Sequence, residues 1–282
     1  MFNSTEILIE AFIKKITKGY RTVFGRLNPQ FEDILGWAGG MSLEIIANSD
    51  ALYHNVEHTM LVCLVGQEIL RGKNIHEKGV TSEDWMHYVL SLLCHDIGYI
   101  KGVCLQDKNG EHATGKDGRT ITLKPGSTDA ALTPYHVDRA KLFIDERFKG
   151  HPLINAEKIK MNIELTKFPV PSQQDSQAMT DYPGMVRAAD LIGQLSDPRY
   201  LKKIAALFYE FEETGTNAKL GYKTPGDLRD NYPKFYWSHV FPYVKDSLQY
   251  LSLTQSGHSI VSTLFANVFT IEHEKIISPD TK

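Results

Sequence analysis

A chain of 282 residues, 42% hydrophobic and 23% charged, has the size and composition to bury a substantial core, which excludes a disordered or fibrous protein. Its 31 basic and 34 acidic residues leave a net charge of −3, unlike the basic surface of a protein that coats nucleic acid. Three cysteines, Cys63, Cys94 and Cys104, are odd in number and share no C-x-x-C spacing, so a reducing cytoplasm is expected rather than a disulfide framework.

The N-terminal stretch carries Glu6, Glu10, Lys14, Lys15 and Lys18 among its apolar residues and does not read as a signal peptide. Ile7, Leu8, Phe12, Ile13 and Ile16 instead make a helical stripe. No window approaches the roughly 20 apolar residues of a membrane span, so a soluble chain with no membrane partner is expected. A second helix is predicted from about Asn55 to Arg71, with Val56, Met60, Cys63, Leu64 and Leu70 inward and Gly72 as its stop. Thr81 or Ser82 caps the next, with Glu83 and Asp84 in its first turn. That helix is apolar on nearly every face through Ile97, with a stop near Gly98, and is expected to be central and buried.

Residues 101–133 contain five glycines and no long apolar stripe. They read as an insertion with a short hairpin near Arg119 to Lys124, serving either as a binding loop or as a passive surface excursion. Thr133-Pro134 looks like a helix start leading toward Phe148. A further helix covers about Asn155 to Lys167, broken by Pro169 and Pro171, and Asp181-Tyr182-Pro183 opens one that stops at Pro198. Helices near Leu201 to Glu213, Tyr236 to Leu253 and Ser259 to Ile276 complete an all-α pattern, read as one helical domain over 1–282 with C-terminal helices at about 201–276.

Three segments place ionisable groups where the helical pattern calls for apolar ones. Tyr53-His54-Asn55-Val56-Glu57-His58 puts two histidines four apart, on one face about a turn from each other. His95-Asp96 lies near the end of the most hydrophobic helix, and Asp190 lies inside MVRAADLIGQL. A buried carboxylate needs a counter-charge or strong hydrogen bonds; Arg187 is one available partner for Asp190, and Asp129 or Asp138 for His136. A shared divalent cation satisfies both carboxylates at once, because neutral imidazole and carboxylate are its usual ligands, and water bound to it becomes a usable nucleophile near neutral pH.

In these pieces the chain resembles the HD superfamily of metal-dependent phosphohydrolases, and most of all the catalytic domain of cyclic-nucleotide phosphodiesterases. The matching residues are Y-H-N-x-x-H at Tyr53 to His58, H-D at His95 and Asp96, and A-D-L at Ala189 to Leu191, with a weaker match over LTPYHVDRAKL at Leu132 to Leu142. The motif-bearing core spans about 50–200. The resemblance implies an HD-type multi-helix bundle with one long loop insertion. It implies that His58, His95, Asp96 and Asp190 bind a first metal, that Asp96 bridges to a second, and that His54 is the general acid after a metal-bound hydroxide attacks phosphorus. His136, Asn55 and Tyr99 are supporting or substrate-contacting candidates. Tyr99 stands where the family commonly has a histidine, Thr133 where it has a glutamate, Thr166-Lys167 where it has Thr-Asp, and no purine-reading glutamine is identified.

The expected substrate is a nucleotide or another small phosphate ester, cleaved as a phosphodiester or phosphomonoester. The residues do not distinguish Zn, Mn, Fe, Ni or Mg, and they leave open an iron oxygenase on the same scaffold or a non-catalytic ligand-sensing module.

Overall fold

The computed structural model describes residues 3–167 and 179–277, with the backbone alone for 275–277. The chain is an all-α multi-helix bundle with one two-stranded sheet. α1 (Ser4–Phe24) and α2 (Pro29–Ile46) pack on each other and lead to α3 (Val56–Glu77) and α4 (Ser82–Cys94). A hairpin of β1 (Glu111–Ala113) and β2 (Thr120–Thr122) follows, then α5 (His136–Phe148), α6 (Ala156–Ile163), α7 (Tyr182–Leu195) and α8 (Tyr200–Glu213). Three short helices, α9 (Thr216–Leu220), α10 (Pro225–Asp230) and α11 (Tyr232–Phe235), precede a π turn at Tyr236–Val240, α12 (Phe241–Leu251) and α13 (Gln255–Ile277). One contiguous apolar core runs from Ile9 on α1 to Ile271 on α13, and the α3–α7 pair lies at its centre. No helix among the described residues is long and apolar enough to cross a membrane. The three cysteines are free and buried.

Local chemistry sets the ends of the elements that carry the site. The Asn55 side chain caps α3 by accepting from the backbone N–H of Glu57 and His58, at 3.0 and 3.3 Å. Thr81 caps α4 in a reciprocal box with Asp84, and Asp181 caps α7 by accepting from Gly184 N at 2.8 Å. From Trp85 to Cys94 every residue of α4 is buried, as its all-round apolar pattern requires.

Several boundaries differ from the sequence reading. The α1 stripe is Ile9, Phe12, Ile16 and Tyr20, whereas Ile7 and Leu8 are exposed. α3 runs through Gly72 to Glu77 because Gly72 is a contact residue: a Cβ there would lie 2.0 Å from the Tyr250 carbonyl oxygen of α12. Similarly α4 ends at Cys94, and Gly98 lies in a 3₁₀ turn (Ile97–Tyr99) pressed onto α5, where a Cβ would be 1.9 Å from the His136 carbonyl oxygen. Thr133-Pro134 belongs to a 3₁₀ segment (Asp129–Tyr135), with α5 beginning just after it. Pro169 and Pro171 lie outside the described residues.

The 101–133 insertion is fastened to the bundle by one buried cation. Arg139 of α5 is fully buried and donates to the Gly98, Ile100 and Ala113 carbonyls at 2.6, 2.8 and 2.6 Å. It also donates to both carboxylate oxygens of Asp107, at 3.1 and 2.9 Å. The planar fork of guanidinium suits this bidentate pairing. Asp107 in turn accepts from Ala113 N at 2.8 Å and from Gly102 N at 2.9 Å.

Candidate metal centre

Four side chains from three segments meet in the middle of the bundle. His58 projects from the first turn of α3, His95 and Asp96 from the turn that ends α4, and Asp190 from the middle of α7. His58 Nε2 lies 3.1 Å from Asp96 Oδ2 and 3.4 Å from Asp190 Oδ1. His95 Nε2 lies 3.1 Å and 3.6 Å from the same two oxygens. His58, His95 and Asp96 are buried, and Asp190 keeps 22% of its side-chain exposure.

Those spacings match a coordination shell. Ligand atoms about 2.1 Å from one cation stand about 3.0 Å apart at the corners of an octahedron and about 3.4 Å apart in a tetrahedron. His58 Nε2, His95 Nε2 and Asp96 Oδ2 are all buried, and none makes a hydrogen bond of good geometry. Buried polar atoms are almost always satisfied, so three orphans facing one point mark a place built for a positive charge. His95 Nδ1 donates to the Leu92 carbonyl at 2.7 Å, which leaves the Nε2 lone pair free for a metal. Burial opposes ionisation of Asp190, but the imidazole nitrogens of His58 and His95, 3.4 and 3.6 Å away, outweigh it and hold the carboxyl at about 2. Asp96 is likewise held well below the usual carboxylate range, its burial being offset by the neighbouring rings of His95 and His58. A two-imidazole, two-carboxylate donor set of this kind fits a divalent transition metal.

Beside the centre, His54 Nδ1 donates to Glu210 Oε2 of α8 at 2.5 Å. Glu210 Oε1 accepts from the backbone N–H of Tyr53 and His54, at 2.6 and 3.2 Å. Burial disfavours a charged His54 ring; the Glu210 carboxylate, together with Asp96 and Asp190, overrides this and lifts its pKa to about 9. Tyr99 is sandwiched between two imidazoles, stacked at 4.6 Å on His54 and 4.7 Å on His136. His136 is kept neutral chiefly by burial, donates from Nδ1 to the Thr133 carbonyl at 2.6 Å, and aims Nε2 at Asp96 Oδ1 from 3.9 Å.

The structure therefore brings His54, His58, His95, Asp96, Asp190, Tyr99 and His136 to one place. Asn55 differs: its amide caps α3, donates to the Leu52 carbonyl at 3.3 Å and does not line the adjoining cavity, so it orients His58 through the helix start. Arg187 lies with its guanidinium 4.7 Å from the Tyr243 ring centre, while Asp190 faces the imidazoles.

The cavity beside these groups is lined by His54, Asp96, Tyr99, His136 and Asp190 and by residues of α8–α11, Glu210 among them. Thr133 is the one residue of the insertion on its described lining, so the hairpin does not cover it. Lys101 bonds Asp50 at 3.2 Å and the Ser127 carbonyl at 2.8 Å, and Lys116 pairs with Asp138 at 3.0 Å; neither reaches the cavity. Of the aromatic cluster on α8, Phe211 lines the cavity, Phe208 is buried and Tyr209 is exposed. Glu210 and Gln194 are the functional candidates that sequence reasoning missed. Gln194 stands four residues after Asp190, on the same face of α7, a spacing that could have singled it out. Glu210 sits near Glu212 and Glu213, and nothing local separates it from them.

No curated protein matches the chain in sequence. One family, described as Npun_R2479-like, matches residues 2–274, nearly the whole length. The chain belongs to the Npun_R2479-like family.

Proposed function

We propose that this protein is a metal-dependent phosphohydrolase of the HD type that cleaves a small phosphate ester. The observation that carries the reading is the convergence of His58 Nε2, His95 Nε2, Asp96 Oδ2 and Asp190 Oδ1 at 3.1–3.6 Å, beside a histidine charged by Glu210. A divalent cation held by these four residues acidifies coordinated water toward neutral pH and draws charge from a phosphoryl oxygen. Asp96 turns its second oxygen toward His136, which is where a second ion would be shared. His54 protonates the leaving oxygen through Nε2, and Glu210 keeps its Nδ1 protonated and the ring in place. Tyr99, stacked against His54, limits the ring to one plane.

The same donor set suits ferrous iron, so oxygen uptake by iron-loaded protein is the measurement that would favour an oxygenase. Loss of all turnover with ligand affinity retained would favour a sensing module. Three free, buried thiols suit a reducing cytoplasm.

The test is metal analysis combined with a panel of phosphate esters supplied with Mn²⁺, Mg²⁺ or Zn²⁺. Asp96→Ala is expected to lose both metal and turnover. His54→Ala is expected to keep the metal and lose about 10²- to 10⁴-fold in turnover. Full activity in metal-free Asp96→Ala protein overturns the proposal.

A further inference from the structure

Part of the cavity wall is built by the short helices α9–α11 and their connections, through Leu220, Tyr222, Leu228, Tyr232 and Phe235. Leu207 and Phe211 of α8 extend the same apolar surface. No Lys or Arg appears on the described lining, whereas the carboxylates of Asp96, Asp190 and Glu210 do. A single divalent cation is largely neutralised by Asp96 and Asp190 alone. A string of phosphates entering this space would meet hydrocarbon and carboxylates whose charge the ion and His54 only balance, with no Lys or Arg to receive its further charges. An apolar body would instead leave water for the wall.

One amide borders that wall from α7. Gln194 presents an amide about one turn beyond Asp190. Tyr232 is only 2% exposed, and its hydroxyl has no hydrogen-bond partner within the protein. That hydroxyl has no accessible surface, so it is the ring of Tyr232 that borders the cavity.

We infer, building on the phosphohydrolase reading, that the substrate is an ester of a single phosphate with an uncharged, mainly apolar, ring-sized body. The α9–α11 wall packs that body, and the Gln194 amide of α7 orients it. Polyphosphates are excluded by the same wall.

The experiment is calorimetric binding of three probes to metal-loaded full-length protein: inorganic phosphate, phenylphosphonate and tripolyphosphate. Phenylphosphonate is expected to bind at least about tenfold more tightly than phosphate, from burial of its ring, and tripolyphosphate no more tightly than phosphate. Leu228→Asp should abolish the phenyl preference and retain phosphate binding. Leu220→Ala, at an exposed position that does not endanger folding, should reduce the preference. Equal affinity for phosphate and phenylphosphonate, or tighter binding of tripolyphosphate, overturns the inference and leaves the metal-centred reading standing. Failure of all three probes to bind metal-loaded protein overturns both.

Discussion

Glu210 holds residues 53 and 54 by three hydrogen bonds, two to backbone N–H groups and one to the His54 ring. The geometry fixes which imidazole nitrogen carries its proton and supplies the charge that stabilises the protonated ring, against its burial. Glu210→Gln retains the shape and removes that charge. Metal content is expected to be unchanged and turnover to fall by about 10- to 10³-fold. Without the carboxylate, the ring loses its proton at lower pH, so the alkaline limb of the rate profile should move toward acid. A profile that stays in place would show that Glu210 only supports the backbone. None of this could be read locally, because the partners are 156 residues apart. His54 itself was legible, as one half of a same-face histidine pair at a helix start.

At the scale of elements, glycine and a buried arginine decide how closely the pieces fit. Both Gly72 and Gly98 read as helix stops in sequence, yet each serves by lacking a side chain where another backbone passes. Gly98→Ala would push the Tyr99 turn off α5, and overpacking of this kind is expected to cost about 1–3 kcal/mol in urea unfolding. Gly226→Ala, whose added methyl would meet only a side-chain oxygen at 3.4 Å, is the control expected to change little. The Arg139–Asp107 pair makes a pH prediction for the insertion. Burial raises the Asp107 pKa, but Arg139 and the backbone donors more than offset this and depress it in the fold. A depressed carboxylate contributes stability above its unfolded pKa of about 3.9 and loses it as pH falls through the folded value. Hydrogen exchange of the amides at 107–113 should therefore accelerate, relative to the intrinsic rate, only as pH drops below about 4. Asp107→Asn should show the loosened hairpin at neutral pH.

For the whole molecule, the cluster of His58, His95, Asp96 and Asp190 joins α3, α4 and α7 at the middle of a continuous core, where a cation would tie them together. Anything that binds only the folded state stabilises it by mass action. A cation at 100 times its dissociation constant contributes about 2.7 kcal/mol. Chelation is therefore expected to lower the thermal midpoint by about 5–10 °C. The His58→Ala protein, measured the same way, should melt without responding to chelator. A wild-type midpoint that ignores chelator would mean the four groups satisfy one another without a cation.

The helical class, the capped starts of α3, α4 and α7, and the four chemically conspicuous side chains were determined by sequence alone. Each follows from interactions within a few residues: apolar periodicity, a side chain bonding the N–H two or three positions on, or an ionisable group out of place on an apolar face. Tertiary structure alone decided that Glu210 belongs to His54, that Gly72 and Gly98 are contacts rather than stops, and that the insertion leaves the cavity uncovered. It also placed α9–α11 along the cavity beside the histidines. The physical reason is shared by all of these: each depends on distance between residues far apart in the chain, and that distance is set by how whole helices pack.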